Sequence, residues 1–241
     1  MPKQPPFTPK PAVEKLPLAV RKDIRDNWDS KKEDFETQIA DALGFPVTIN
    51  VNVNEVWAYA DSLSATQAGS TFSGYIGGFV SALQSYVEKY GDIGKEYFQN
   101  AVTQSEVTLT VNELGDKGET ITADVNDGVF RILFRHDRLS YNMNWLNDYF
   151  APAIDNAPHE GFGLLAKYSI KTGYEDEIEE TEEEIKKILA LDDLVLDPNF
   201  EENYGTLLNK SDNDWQKNFG EATFAYFKYD YSLSEIVARL S

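Results

Sequence analysis

The chain has 241 residues, 41% of them apolar and 13% aromatic, which is enough for a substantial core, and 41 acidic against 22 basic residues give it a formal net charge of -19. The absence of cysteine excludes disulfides, thiolate catalysis and thiolate metal sites. The acidic balance argues against nucleic acid as a partner, since phosphates require a broad basic surface, and no apolar run reaches the roughly 18 residues of a transmembrane span.

Pro2, Pro5, Pro6, Pro9 and Pro11 punctuate the first dozen residues, where little apolar material offsets ordering entropy. This composition predicts a loose arm over 1–12, followed by a single α+β domain over 13–241. No apolar run follows the lysines of the arm and no arginine-rich amphipathic pattern is present, so the arm resembles neither a signal nor a transit peptide. The expectation is a leaderless, cytoplasmic chain.

Over 16–43 the apolar positions Val20, Ile24, Trp28, Phe35, Ile39 and Leu43 recur at helical spacing, closed by Gly44 and Pro46. The run PVTINVNVN then alternates strictly, with Val47, Ile49, Val51 and Val53 on one face, and predicts a half-buried strand. Asn54 is the expected cap of a short helix carrying Val56, Trp57 and Tyr59. From 62 to 87 no residue is charged. Within this stretch Phe72, Tyr75, Ile76, Phe79, Val80 and Leu83 form one helical face, and small residues (Ser73, Gly74, Gly77, Gly78, Ser81) form the other. A shorter helix is expected over 93–102.

Three alternating runs follow, EVTLTVNE, ETITADVN and VFRILFR, with LGDKG between the first two and Asp127-Gly128, suited to a tight hairpin, between the last two. They predict an antiparallel meander, and with the other runs an antiparallel sheet of four to six strands packed with amphipathic helices. Further on, SYNMNWLNDYFAPAI reads as a strand end and a short helix, and GFGLLAKYSIKTG as a strand. YEDEIEETEEEIKKILAL reads as a helix with Glu182–Lys186 and Glu183–Lys187 pairs at i,i+4. ATFAYFKYDY is expected to be an aromatic strand, and Ser232 with Glu235 to start a last helix. The charge is uneven: 16 basic and 23 acidic residues over 1–173, against 6 and 18 in the remainder.

FRILFRHDRLSYN (130–142) holds three of the six arginines. As a strand it places Arg131 and Arg135 on one face, roughly 13 Å apart, beside Thr108, Thr110 and Thr122 of the neighbouring strands. That surface has the chemistry to hold a carboxylate, phosphate or sugar. Asp124 and Glu119 are near enough in the pattern to neutralise the arginines, and charge balance within the protein is the favoured reading.

Metal chemistry finds no HExxH spacing around His136 or His159, and no metal or cofactor is expected. DVNDG has the wrong spacing for a calcium loop. No GxSxG, P-loop or GxGxxG sequence occurs. A carboxylate-based hydrolase site near Arg131, Arg135 and Asp137 is the enzymatic alternative to a non-catalytic binding protein. The uncharged helix must face something apolar, and the two candidates are the protein's own core and a lipid or partner surface.

Within FRHDRLSYNMNWLNDYFAPAI, Asp137, Ser140-Tyr141-Asn142, Asn144 and Phe150-Ala151 resemble a stretch of the Cyt-type cytolysins, as does the order helix, strand, neutral helices, then antiparallel strands. The resemblance covers about two dozen residues and falls mid-chain, whereas the family has it near its end. It implies helical layers flanking a sheet and a toxin-like, membrane-directed action, and it transfers no functional residue. The expected partners are therefore an anionic small molecule, a glycan or a lipid surface.

Overall fold

The computed structural model describes residues 7–61 and 65–190, apart from the side chains of 177, 181, 184 and 188, and then 192, 193, 195, 197, 199, 200, 202, 203, 216, 219 and 220. Within the stretch the sequence suggests is one domain, the chain forms two compact units, Met1–Ala157 and Pro158–Ser241. Each is described by itself.

In the first unit the amphipathic spacing yields α1 (Leu18–Ile24) and α2 (Ser30–Leu43), joined without a break by a π-helical turn, Arg25–Asp29, that contains the buried Trp28. Gly44 ends α2 at φ 85°, a left-handed conformation that glycine adopts without strain. The alternating run gives less strand than its pattern suggests. Only Thr48–Ile49 pair, as β1, and Val53–Trp57 is already helical, as α3. The cap is Asn52, whose side chain accepts from the Glu55 amide, while Asn54 donates to the Val13 carbonyl at 2.8 Å. A capping asparagine inside an alternating pattern thus stops the strand early.

The neutral stretch forms α4 (Ala68–Ala101), which breaks at Gly91 (φ 55°, ψ -139°) into segments 68–90 and 92–101, the two helices expected from the sequence. The Tyr86 hydroxyl donates to the Gly94 carbonyl at 2.8 Å and ties the segments across the break. No side chain of α4's own start caps it. Instead Asp23 of α1 accepts from the amides of Gly69 at 2.7 Å and Ser70 at 3.3 Å, supplying the carboxylate that a helix N-terminus favours.

The sheet has four strands: β1, β2 (Glu106–Val111), β3 (Ile121–Asn126) and β4 (Val129–Phe134), in the order β1-β2-β4-β3. It is mixed and not the antiparallel meander expected: β2 runs parallel to β1 and to β4, and only β3 and β4 are antiparallel. Asp127 (φ 49°) and Gly128 (φ 76°) make the two-residue hairpin with positive angles at both positions. The longer 112–120 connection instead carries the chain past β4. Composition explains the order, because VFRILF buries Phe130, Ile132, Leu133 and Phe134 and suits a central strand, whereas the polar ITADVN suits an edge.

Helix α5 (Asn147–Asp155) and α4 cover one sheet face, and α1 with α2 pack against α4. Phe130 of β4 meets Phe79 at 5.1 Å, Phe98 at 6.1 Å and Phe150 of α5 at 4.9 Å between ring centroids, forming an aromatic centre to the core. Residues from Phe7 onward in the arm are fixed: the Phe7 ring stacks on His136 at 5.1 Å, and the Lys10 amide donates to the Tyr59 hydroxyl at 2.7 Å.

The second unit contains α6 (Leu164–Ile170), a π-helical turn (Lys171–Glu175) and α7 (Asp176–Leu189). The strand expected in GFGLLAKYSIKTG is therefore a helix. Its apolar run is short, and periodicity alone does not separate a buried strand from a buried helical turn. Ala166, Ile170, Tyr174 and Ile178, at helical spacing, cluster with Phe162, Phe200 and Phe219. Lys186 pairs with Glu183 at 3.0 Å, one residue closer in sequence than the pairs expected. The aromatic strand expected over 222–231 and the capping box at Ser232 and Glu235 lie outside the described residues.

The small face of α4 is in backbone contact with its neighbours. A Cβ at Gly69 would collide with the Asp23 carbonyl, and one at Gly78 with the Met143 carbonyl, whereas at Gly77 the nearest atom is Phe35 Cε1 at 3.9 Å. Gly78→Ala is expected to lower unfolding stability by about 2–3 kcal/mol, and Gly77→Ala to be neutral or stabilising by up to ~1 kcal/mol. Urea unfolding of the two variants measures this, and equal effects would contradict the close approach.

Burial pushes the Tyr75 and Tyr86 phenols upward, against an unfolded value of about 10. Because the folded state favours the protonated phenol, the contribution is complete below the unfolded value and is lost as pH rises toward the folded one. In an alkaline titration followed by phenolate absorbance, these two tyrosines are expected to ionise only together with unfolding, while exposed tyrosines ionise reversibly before it.

Candidate functional site

The sheet face away from α4 carries the residues the sequence nominates. In register, Thr108, Arg131 and Asp124 form one row across β2, β4 and β3, and Thr110, Leu133 and Thr122 the next. Arg131 grips Asp124 with two parallel bonds, Nε to Oδ1 at 2.7 Å and Nη2 to Oδ2 at 2.6 Å. The bond to Asp124, opposed by partial burial and aided by the Asp124, Glu113 and Asp127 charges, raises the Arg131 pKa further. Arg135 bonds Asp137 at 2.7 Å. Partial burial works against ionisation of Asp137, but the Arg135 bond and the charges of Arg135 and Arg138 hold its carboxyl below the usual carboxylate range.

Thr108 donates to the Asn50 carbonyl at 2.7 Å. Both arginines thus bond carboxylates of the protein, Arg131 through two nitrogens and Arg135 through Nε alone.

His136 bonds Asp116 at 2.8 Å. Among the described residues no three His, Asp or Glu side chains group to hold a metal ion, and no helix is long and apolar enough to cross a membrane.

The residues nominated for a membrane or partner, Phe72, Tyr75, Ile76, Phe79, Val80 and Leu83, are each no more than 4% exposed. Tyr75 and Phe79 meet Phe134 and Phe130 of the sheet and Phe79 meets Phe150 of α5, while Phe72 packs on Trp28, so this face of the uncharged helix lies within the protein's own core. Its small face has a second consequence. Gly74 and Gly78 let Met143 lie directly on the helix, Ser140 Oγ and Thr71 Oγ1 are 3.1 Å apart, and the Ser140 amide donates to the Tyr75 hydroxyl at 3.2 Å. With Leu139 and Leu146 buried at either end, the 139–146 segment is clamped to α4. Ser140 (φ 78°) and Asn142 (φ 54°) hold left-handed backbone conformations there, which are costly for residues other than glycine and are kept only where the surroundings fix them.

The clamped segment forms one wall of a groove of about 360 Å³ against the start of β3. It is lined by Glu119, Thr120, Ile121, Asn142, Asn144, Trp145, Asn147, Asp148 and Tyr149. Three amides offer donors and acceptors, two carboxylates offer acceptors, and two aromatic rings offer flat apolar faces. Trp145 is 64% exposed, unusual for the largest apolar side chain. The Tyr149 phenol is shifted upward by partial burial and then by the Glu119 and Asp148 charges, which marks the groove as electronegative. Among the described residues no lysine or arginine lines it.

None of these lining residues was nominated from the sequence. The signal was the composition of NMNWLND, with three asparagines, an aspartate and a tryptophan in seven residues, although nothing in it tells that Glu119 and Thr120 lie opposite.

For the arginines, the expected outcome of a double-mutant cycle on Arg131→Gln and Asp124→Asn is a coupling of about 1–2 kcal/mol in unfolding stability, with a smaller value for Arg135 and Asp137, which share one such bond and not two. A vanishing coupling for Arg131 and Asp124 would return that guanidinium to the list of ligand-binding groups.

Comparison of the chain with models of known families, with curated proteins and with solved structures finds no match.

Proposed function

We propose that the chain is a non-catalytic binding protein that recognises a neutral glycan in the groove between the start of β3 and the 142–149 segment. The observation that carries this reading is the lining: three asparagine amides, two carboxylates and an exposed tryptophan, with no cation. Sugar hydroxyls pair with amides and carboxylates, and the apolar face of a pyranose stacks on an indole. An anionic ligand meets two like charges there and a chain of net charge -19.

Action on membranes through α4, implied by the cytolysin resemblance, is the less favoured version. It requires six core side chains to leave their partners, at about 1.5–3 kcal/mol each or roughly 9–18 kcal/mol together, comparable to the whole stability of a domain.

Calorimetric titration with a panel of neutral and acidic oligosaccharides tests the proposal. At least one neutral sugar is expected to bind, and Trp145→Ala to weaken it by about tenfold or more at unchanged thermal stability, since the truncated anchor is mostly exposed. Asn144→Ala is expected to weaken it by a few-fold, and Arg131→Gln not at all. Binding that survives Trp145→Ala, or acidic sugars preferred over neutral ones, would overturn the groove reading. In parallel, vesicles of neutral and of anionic lipid are expected to neither co-sediment with the protein nor release dye. Release would restore the membrane-directed version.

A further inference from the structure

A second cavity, of about 330 Å³, lies where the parallel strands β2 and β4 end. Their last residues, Val111 and Phe134, line it together with Val56 and Tyr59 from α3 and the turn after it. The crevice beyond the carboxyl ends of parallel strands is where open sheets offer ligand sites, because the chain diverges there into its connections. The volume falls at the lower end of the roughly 300–1,000 Å³ of small-molecule pockets.

The remaining wall is the proline-rich arm, residues Pro9, Lys10, Pro11 and Ala12. This wall is built into the fold. Besides the Lys10 amide on the Tyr59 hydroxyl, the Val13 amide donates to the Asn54 carbonyl at 3.2 Å, and Asn54 Nδ2 returns a bond to the Val13 carbonyl at 2.8 Å.

The charged groups select the ligand. Glu55 and Glu113 line the cavity and lie in no ion pair with a described cation. The one cation among the described lining residues, Lys10, is already engaged: its ammonium sits 5.0 Å from the centre of the Tyr59 ring and 3.3 Å from the Ala58 carbonyl. Tyr59, 5% exposed, is therefore an aromatic face already used by an ammonium group, with a carbonyl beside it and two carboxylates within the same cavity.

We propose that this cavity binds a small aliphatic amine, with the ammonium on Tyr59 and the Glu55 and Glu113 carboxylates and the alkyl body on Val56, Val111, Phe134 and Pro11, and that Lys10 is its internal competitor. An anion is repelled by two carboxylates. A neutral guest gains no charge attraction from Glu55 and Glu113, which stay exposed at the rim, where the Arg131 charge already acts on Glu113.

The test is calorimetric titration of the full chain with n-hexylamine, n-hexanol and n-hexanoate, which share one body and differ in charge. Hexylamine is expected to bind at one site at least tenfold more tightly than hexanol, and hexanoate not to bind. Glu55→Gln with Glu113→Gln, both on exposed side chains, is expected to bring hexylamine down to the level of hexanol. Lys10→Met is expected to tighten hexylamine about fivefold by removing the competitor. Equal binding of hexylamine and hexanol would show a merely apolar pocket. Unchanged hexylamine binding in the double Gln variant would show diffuse attraction to an acidic surface. Either result, or no binding at all, overturns the proposal.

Discussion

The fold of the first unit depends on how closely other backbones approach the small face of α4. Side chains large enough to fill a helix surface hold neighbours at ordinary interaxial distance. Glycine at 69 and 78 instead lets the α1 backbone and the 143–144 backbone settle directly on the helix, and Gly74 makes room for the Met143 side chain. Two further contacts turn this proximity into registration: the Ser73 hydroxyl donates to the Asn27 carbonyl, and Asp23 takes the first amides of α4. The opposite face of the same helix is filled by large rings that meet Phe130, Phe134 and Phe150. One helix therefore organises a layer on each side, and over 68–87 only the uncharged Ser70, Ser81, Gln84 and Ser85 are exposed.

That arrangement also explains why a strained segment faces the groove. Ser140 and Asn142 keep left-handed angles because their neighbours in the chain are clamped, Met143 on Gly74 and Gly78 and Leu146 in the core. Asn144 and Trp145, between the anchors, are exposed on the groove side. The order of that groove wall is thus borrowed from the core, and its entropy cost is met during folding.

Much of the architecture was legible where a residue type has one physical use. The αL glycine after α2, the break at Gly91, the Asp127-Gly128 hairpin and the inward face Phe72 to Leu83 all follow from local pattern. The order of strands was not legible, since alternation in EVTLTV, ITADVN and VFRILF is the same whether neighbours run parallel or antiparallel, and only the apolar excess of VFRILF hints at its central place. Asn52 was read as part of a strand because alternation and capping use the same residue. The Arg131 pairing was legible, because Asp124 falls directly across from it, whereas the pattern offers Asp124 and Glu119 to Arg135 and the structure gives it Asp137. The groove escaped, since its two walls lie more than twenty residues apart and each alone resembles an ordinary polar loop.

The dependence of α4 on a carboxylate 46 residues earlier bears on how the chain is made. Synthesis runs from the N-terminus, so Asp23 and the paired helices α1 and α2 have left the ribosome by the time Gly69 emerges. The neutral helix then finds its capping group and the α1 backbone that meets Gly69 already present, while Gly74 and Gly78 wait for Met143 and the aromatic face waits for β4 and α5. The start of the helix is served first, and the exposure that invites self-association is confined to the interval before Phe150 appears.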